Sequence, residues 1–279
     1  MKMKKITLGA IALLLNMGLM AQSTNPPGLD LIKTSELKKD LYDFADPHFK
    51  GRSAGTIDEL KASMWLAEKY RSIGLLPAGD DGTYLQFFTM WRNQISDNST
   101  IQINNKNFTL WKDATVAQMA NKQINAPIVY LGDASKIDTA SVDVKNKAVA
   151  IEASSVGINL NVSLPTWRYS RSVLAKYGMP LIRKGATAII IIADNIGEKA
   201  WDDANENFKR GTYDIEGGPN TRVNTTVPVI WVHQDAKSTI SNAQGNLVAN
   251  LIVEKYPYPS VNIVGKINGT DPKLKSEYV

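Results

Sequence analysis

The chain holds two histidines, His48 and His233, and no cysteine, and this narrows the chemistry its side chains could perform. A hydrolase that works through zinc needs His and carboxylate ligands to hold the metal and acidify a water, plus a free carboxylate as base. Neither histidine stands in a His-x-Asp or His-Glu-x-x-His arrangement: His48 lies in a loop before Gly51-Arg52, and His233 closes the run Pro228 to Val232. Histidines without partners at ligand spacing read as surface or hydrogen-bonded residues. No metal ligand and no catalytic residue is therefore expected in this chain. Cys nucleophiles are excluded, and there is no Gly-x-Ser-x-Gly elbow. The adjacent carboxylates Asp80-Asp81 and Asp202-Asp203 sit beside turn-forming or polar residues and read as solvated turns or surface helix. Gly217-Gly218-Pro219-Asn220 is glycine-rich but lacks the lysine and spacing of a phosphate loop.

Two stretches stay in play. Arg52, flanked by Gly51 and Gly55, occupies a loop where backbone can approach another surface closely. Its guanidinium can tie the N-terminal segment to the rest of the protein through carbonyl or carboxylate bonds, or it can touch a substrate. The second stretch is Trp167-Arg168-Tyr169-Ser170-Arg171, which follows the loop Ser154 to Pro165. Its aromatic rings can cover a local core, which is the commoner use of loop aromatics, or line a ligand pocket.

The elements that must position these residues are legible in outline. Leu37, Leu41, Phe44 and Ala45 recur at helical spacing, with Thr34 or Ser35 as the expected cap. Thr56 and Glu59 predict a capping box, after which Leu60, Met64 and Ala67 line one helix face and Gly74 ends the helix. Asn104-Asn105, between two apolar runs, suits a tight hairpin turn. Strands and helices then alternate: Ala126 to Leu131, Ala148 to Ala153, a helix near Tyr169 to Lys184, Gly185 to Ile192, Val227 to Val232, and a short helix from Asp235. Tyr256-Pro-Tyr-Pro259 predicts a linker, because paired prolines disfavour both helix and ladder.

Composition is that of a globular chain with a sizeable core, 43% hydrophobic and 21% charged. The net charge of +5 includes Lys2, Lys4 and Lys5, which precede an apolar run from Ile6 to Met20 and the sequence Ala21-Gln22-Ser23. That order is the pattern of a secretory signal peptide over residues 1–21. The run is shorter than the ~20 residues a bilayer span needs, which favours cleavage over a retained membrane anchor. Export to the periplasm or the exterior is expected, with no stable membrane insertion afterwards. Without the leader the net charge is +2 and no dense basic cluster remains, so no nucleic acid partner is expected. The lack of cysteine removes lipoprotein attachment and disulfides.

Three stretches carry a resemblance. Gly51-Arg-Ser-Ala-Gly-Thr56 fits Gly-Arg-x-x-Gly-Thr, and Gly74-Leu-Leu-Pro with Tyr84-Leu-Gln-Phe-Phe88 fits Gly-Leu-x-Pro and Tyr-x-Gln-x-Phe. The last eighteen residues, Asn262 to Val279, read as an apolar strand, a Gly-Thr-Asp-Pro turn and the start of another strand. In this order the chain resembles secreted MH-clan two-zinc aminopeptidases (leucyl aminopeptidase or glutamate carboxypeptidase-like), whose catalytic domain carries an inserted protease-associated (PA) domain. Lys145-Asn-Lys-Ala-Val-Ala, Gly185-Ala-Thr-Ala-Ile and Val227-Pro-Val-Ile occur in the order such an insert would have.

The resemblance implies an α/β fold, with a PA-type open β-barrel and flanking helices inserted into an incomplete zinc-peptidase α/β domain. It implies residues 22–110 as the N-terminal part of the peptidase domain, 111–256 as the PA insert, and 257–279 as the start of the catalytic core. It further implies a peptide substrate, two zinc ions in the full-length enzyme, and metal ligands and a base Glu that follow Val279. Arg52, Trp167, Arg168 and Tyr169 become the candidate substrate-pocket or interdomain contacts. The rival expectation is a standalone secreted PA-type module that binds peptides or proteins without catalysis.

Overall fold

The computed structural model describes residues 28–160, 167–215, 225–242, 244–275 and 277. The expected signal peptide, the Gly217–Asn220 stretch and residues 161–165 of the loop before Trp167 lie outside the described residues.

Strands β1 (Leu76–Pro77), β2 (Leu85–Ile95), β3 (Thr100–Ile103), β4 (Lys106–Phe108), β5 (Ala114–Gln118), β6 (Lys122–Asp133), β7 (Ala148–Glu152), β8 (Ala188–Ile192), β9 (Thr212–Ile215), β10 (Val229–Val232), β11 (Asn246–Leu251), β12 (Val253–Ile263) and β13 (Gly265–Lys266) form three sheets. The largest has the order β4-β3-β11-β6-β7-β8-β10-β5, with β6, β7, β8 and β10 mutually parallel. Its edge strands β4 and β5 are separated by only residues 109–113, and Leu110 bridges to Ala114. Two edges tied so closely curl the sheet into a nearly closed barrel. One cluster accordingly collects inward side chains from all eight strands, from Phe108 on β4 to Val116 on β5.

The opposite face of the parallel strands carries a second layer. Val149, Ile151, Ile189, Ile191 and Trp231 pack there on Tyr169, Val173, Leu181 and Trp201. Those residues come from α3 (Arg168–Val173), α4 (Met179–Arg183) and α6 (Trp201–Arg210), with the short α5 (Asn195–Lys199) beside them. Burial on both faces explains why β8 reads Ala-Ile-Ile-Ile-Ile rather than alternating. The expected hairpin is present: Asn104 and Asn105 both adopt positive φ and join β3 to β4. The expected helix from Asp235 is α7 (Lys237–Ser241), behind one 3-10 turn.

Outside the barrel, β2 pairs with β12 over eleven residues, and β9 pairs on the other side of β2. Here one expectation is corrected. Tyr256–Pro259 is no linker; it lies inside β12, with Pro257 opposite Trp91 and Pro259 opposite Thr89. The strand is an edge, and prolines two apart turn the same side of the backbone outward, where no partner needs their missing N–H.

Helices α1 (Thr34–Phe44) and α2 (Ile57–Ser72) precede the sheets. Thr34 and Ser35 do not cap α1, whose N-cap is Lys33 without a side-chain bond. The Thr56 hydroxyl accepts from Glu59 N–H as expected, but the Glu59 carboxylate reaches Gly55 N–H instead of Thr56 N–H. Gly74 ends α2 at φ 82°, with Leu75 N–H on Tyr70 O and Gly74 N–H on Arg71 O, the paired bonds of a Schellman motif.

Candidate functional site

A cleft of ≈ 830 Å³ opens where α3, α6 and β9 meet. Trp167, Arg168, Arg171, Ser172 and Ala175 line one wall; Asn207, Arg210, Gly211, Thr212 and Tyr213 line the other. The first wall follows from helical spacing. Residues 168, 171, 172 and 175 share a face, while Tyr169, Ser170 and Val173 are buried on the other side.

Two guanidinium groups lie over the Trp167 ring, with Arg168 Cζ 5.3 Å and Arg171 Cζ 4.6 Å from its centroid. These are cation–π distances, which hold long side chains against a flat aromatic surface. The Trp167 backbone N–H points at Asp203 Oδ2, 3.4 Å away.

The second wall depends on a sharp turn at Gly211, which has φ 81° and passes so close to Asn93 O that a Cβ would strike it. That turn delivers the end of α6 into β9 against β2. Arg92 Nε donates to Arg210 O at 2.7 Å, satisfying a terminal carbonyl of α6. Tyr213 packs on Tyr258, centroids 5.5 Å apart, and Arg92 Cζ sits 5.6 Å from the same Tyr258 ring.

Of the residues anticipated from sequence, Trp167 and Arg168 share this cleft. Tyr169 does not. It is 7% exposed, donates to Asp194 Oδ2 at 2.5 Å, and meets Trp231 edge-on at 6.4 Å. Burial, reinforced by the Asp194 carboxylate, pushes its phenol pKa well above the ordinary tyrosine value. Arg52 is not part of the cleft lining either. Its guanidinium donates to Phe44 O and lies 4.4 Å from the Phe44 ring, so it fastens the turn before α2 to the end of α1.

Arg171, Arg210 and Tyr213 were not anticipated as site residues. A helical projection of residues 168–175 would have found Arg171. For Arg210 and Tyr213 no local signal exists, since their position depends on β9 pairing with β2.

The histidines are engaged elsewhere. His48 Nδ1 lies 2.7 Å from Asp46 Oδ1. His233 contacts Glu198 Oε2 at 2.8 Å and Lys112 O at 3.1 Å, and its ring stacks on Trp201 at 3.7 Å. Among the described residues no group of three or more His, Cys, Asp or Glu could hold a metal ion, so these residues do not fit a zinc centre. Among the described residues no helix is long and apolar enough to cross a membrane.

A further polar cluster lies at the ends of β6 and β7. Tyr130 donates to Glu152, and Lys237 Nζ approaches the same carboxylate at 2.9 Å. Burial and the Glu152 contact push Tyr130 up to about 12. Burial alone would raise Glu152, but the hydrogen bonds from Tyr130 and Lys237 outweigh it and lower its pKa.

No family model matches the sequence. No curated protein matches it either. Solved structures with similarity include an aminopeptidase from Aneurinibacillus sp. strain AM-1, at 17% identity and TM-score 0.41, covering 84% of this chain and 49% of that one. BSAP, a zinc aminopeptidase from Bacillus subtilis, is 14% identical with TM-score 0.35, covering 84% of this chain and 47% of its own. A peptidase M28 precursor from Shewanella amazonensis SB2B is 14% identical with TM-score 0.39, covering 82% and 50%. The chain thus spans about half the length of these structures. At these identities and TM-scores the neighbours assign this chain neither a substrate nor a site residue.

Proposed function

We propose that this chain is the non-catalytic, substrate-facing part of an exported zinc aminopeptidase-type hydrolase acting on peptides. In this reading the barrel is a PA-type module, the α1–α2 and β2–β12 elements belong to a peptidase domain, and two zinc ions with their ligands come from residues outside those described. The peptide meets this chain at the Trp167–Arg168 cleft. No nucleic acid and no stable membrane insertion belong to the reading.

One observation supports it above the rest: residues 262–266 of the last stretch and the other two stretches that carry the sequence resemblance lie on adjoining elements outside the barrel. Gly55 of the Gly-Arg-x-x-Gly-Thr stretch lies against the Tyr258 ring, where a Cβ would overlap it. Tyr84 donates to Leu75 O at 2.6 Å, and Val264 N–H donates to Tyr84 O at 2.8 Å. Leu76 pairs with Lys266 and Gln86 with Asn262. Segments far apart in sequence form one packed unit, as parts of a single domain would.

The second reading is a PA-type binding module without catalysis, which the cleft also suits. Reading the gene in frame beyond codon 279 separates the two. Continuation into a strand carrying His-x-Asp supports the peptidase, and a stop codon directly there supports the binding module. A purified protein of residues 22–279 is expected neither to cleave aminoacyl-nitroanilides nor to retain zinc through dialysis. Chelator-sensitive cleavage that co-purifies with it would overturn both readings.

A further inference from the structure

We propose that one buried water molecule binds between the barrel and its helical layer, held by Trp231 and Thr115 and reached by Ser170. The site goes beyond the peptidase reading and does not depend on it. Two polar atoms carry the proposal. Trp231 is 3% exposed and Thr115 1% exposed, and among the described residues neither Trp231 Nε1 nor Thr115 Oγ1 has a hydrogen-bond partner. The two residues stand directly opposite each other in the β10–β5 ladder. Directly opposed side chains share a face of the sheet, with Cβ atoms about 4.5–5.5 Å apart. Both line one cavity between that ladder and α3, α5 and α6.

The cavity has the size and the chemistry of a one-water site. It offers ≈ 10 Å³ to the centre of a water-sized sphere. A single water needs about 10–15 Å³ by that measure, and roughly two to four polar partners. The indole N–H can only donate, so the water accepts there; the Thr115 hydroxyl can donate or accept. Ser170 lines the same cavity and is 5% exposed. Its Oγ donates to Trp167 O at 2.6 Å and keeps lone pairs that can accept from the water. Three side chains then hold one molecule, which ties α3, and with it the Trp167 wall of the cleft, to two strands of the barrel.

The bland account is a dry cavity with two idle polar groups. Most buried side-chain polar atoms do find a partner, because a donor stripped of water and left unpaired costs stability. Cavities that stay empty are apolar, whereas two residues of this lining carry unpartnered polar atoms. A direct bond between Thr115 and Trp231 is the other rival. The indole has little room to swing toward it. Its ring meets Tyr169 edge-on at 6.4 Å, and a Cβ added to Gly197 would stand only 3.1 Å from it. With the ring held in place, a small ligand that both accepts and donates satisfies the two groups, and water is the ligand this volume admits.

The test is a high-resolution crystal structure of the purified chain, with a Thr115→Val/Ser170→Ala double variant alongside. The wild-type protein is expected to show a single density peak in the cavity, about 2.7–3.2 Å from Trp231 Nε1 and within the same reach of Thr115 Oγ1. The double variant keeps the shape of Thr115 but leaves the water one partner, so the peak is expected to be lost. In solution, the Trp231 indole N–H resonance, assigned by its disappearance in Trp231→Phe, should move upfield in the double variant as its hydrogen bond is lost. Near-ultraviolet dichroism like that of wild type shows that the variant is folded; should it fail to fold, the wild-type density still decides. A wild-type cavity without density overturns the proposal, and so does Thr115 Oγ1 bonded directly to Trp231 Nε1. Density larger than one water overturns the ligand assigned. A peak that survives in the double variant, or a resonance that does not move, overturns the roles given to Thr115 and Ser170.

Discussion

Ser260 on β12 donates its hydroxyl to Glu59 Oε1 at 2.5 Å, while Glu59 Oε2 accepts from Gly55 N–H at 2.6 Å. One carboxylate thereby clasps the start of α2 to a strand 201 residues away. Ser260 is 5% exposed, so removing its partner leaves a buried hydroxyl without an acceptor. Glu59→Ala is expected to destabilise the protein by about 1–3 kcal/mol, and Ser260→Ala by about 1 kcal/mol. In a double-mutant cycle read by urea denaturation, the two losses should overlap rather than add. Strict additivity would show that the contact does not couple the two elements.

Gly55 tests the same junction through shape. It adopts φ 75°, and the space where a Cβ would stand is occupied by the Tyr258 ring. Gly55→Ala therefore combines left-handed strain with overpacking, an expected loss of about 2–4 kcal/mol. Adding Tyr258→Ala relieves the overlap but not the backbone strain. Denaturation midpoints should show the Gly55→Ala penalty shrinking in that background. A penalty of the same size in both would mean that strain alone accounts for it.

Much of the fold was legible in the sequence, and the failures are instructive. The Thr56 cap, the Gly74 stop, the Asn104-Asn105 turn and the Ala188–Ile192 strand are local matters, decided by residue chemistry within a few positions. Pro257 and Pro259 misled because a rule against proline in ladders applies to central strands, and β12 is an edge. Tyr169 stood beside Trp167 and Arg168 in sequence, yet one step along a helix turns a side chain by about 100°, enough to move it from cleft to core. Arg210 entered the cleft through a sheet pairing between distant segments, which no local pattern records.

Helix α1 should be the least protected element of the described chain. None of its residues is buried, and Leu37, Leu41 and Tyr42 are 59%, 65% and 70% exposed. Its attachments include Arg52 on Phe44 O, the Phe44 ring against Trp65 at 5.6 Å and Phe49 at 6.1 Å, and the Lys69–Asp40 pair at 2.7 Å, which is half exposed and worth little. Hydrogen exchange is expected within the fastest class for α1 and the slowest for β8, whose five residues are all buried. Arg52→Ala should speed exchange in α1 further and leave β8 unchanged. If α1 exchanges as slowly as β8 in a monomeric sample, its apolar face is covered in a way this structure does not contain.

The Tyr130–Glu152 pair should leave a signature at both ends of the pH scale. Tyr130 is raised to about 12, so its folded-state preference for the neutral phenol contributes fully below the unfolded value of about 10. That contribution is lost as pH rises through about 12. Glu152 is shifted the other way: its contribution is present above the unfolded carboxylate value and is lost as pH falls through its lowered folded value. Tyr130→Phe removes the donor from one and the titrating group from the other. Near neutral pH the variant should be about 1 kcal/mol less stable, a figure reduced for the solvent that reaches this partly exposed pair. The gap from wild type should narrow above pH ~10 and again in the acid range, while Lys237 continues to hold Glu152 at 2.9 Å in the variant. Stability measured by denaturant across this range checks it, with ultraviolet titration reporting the phenolate directly. A gap that stays constant from acid to alkali would mean that Tyr130 acts through packing alone and that its hydrogen bond to Glu152 contributes nothing measurable.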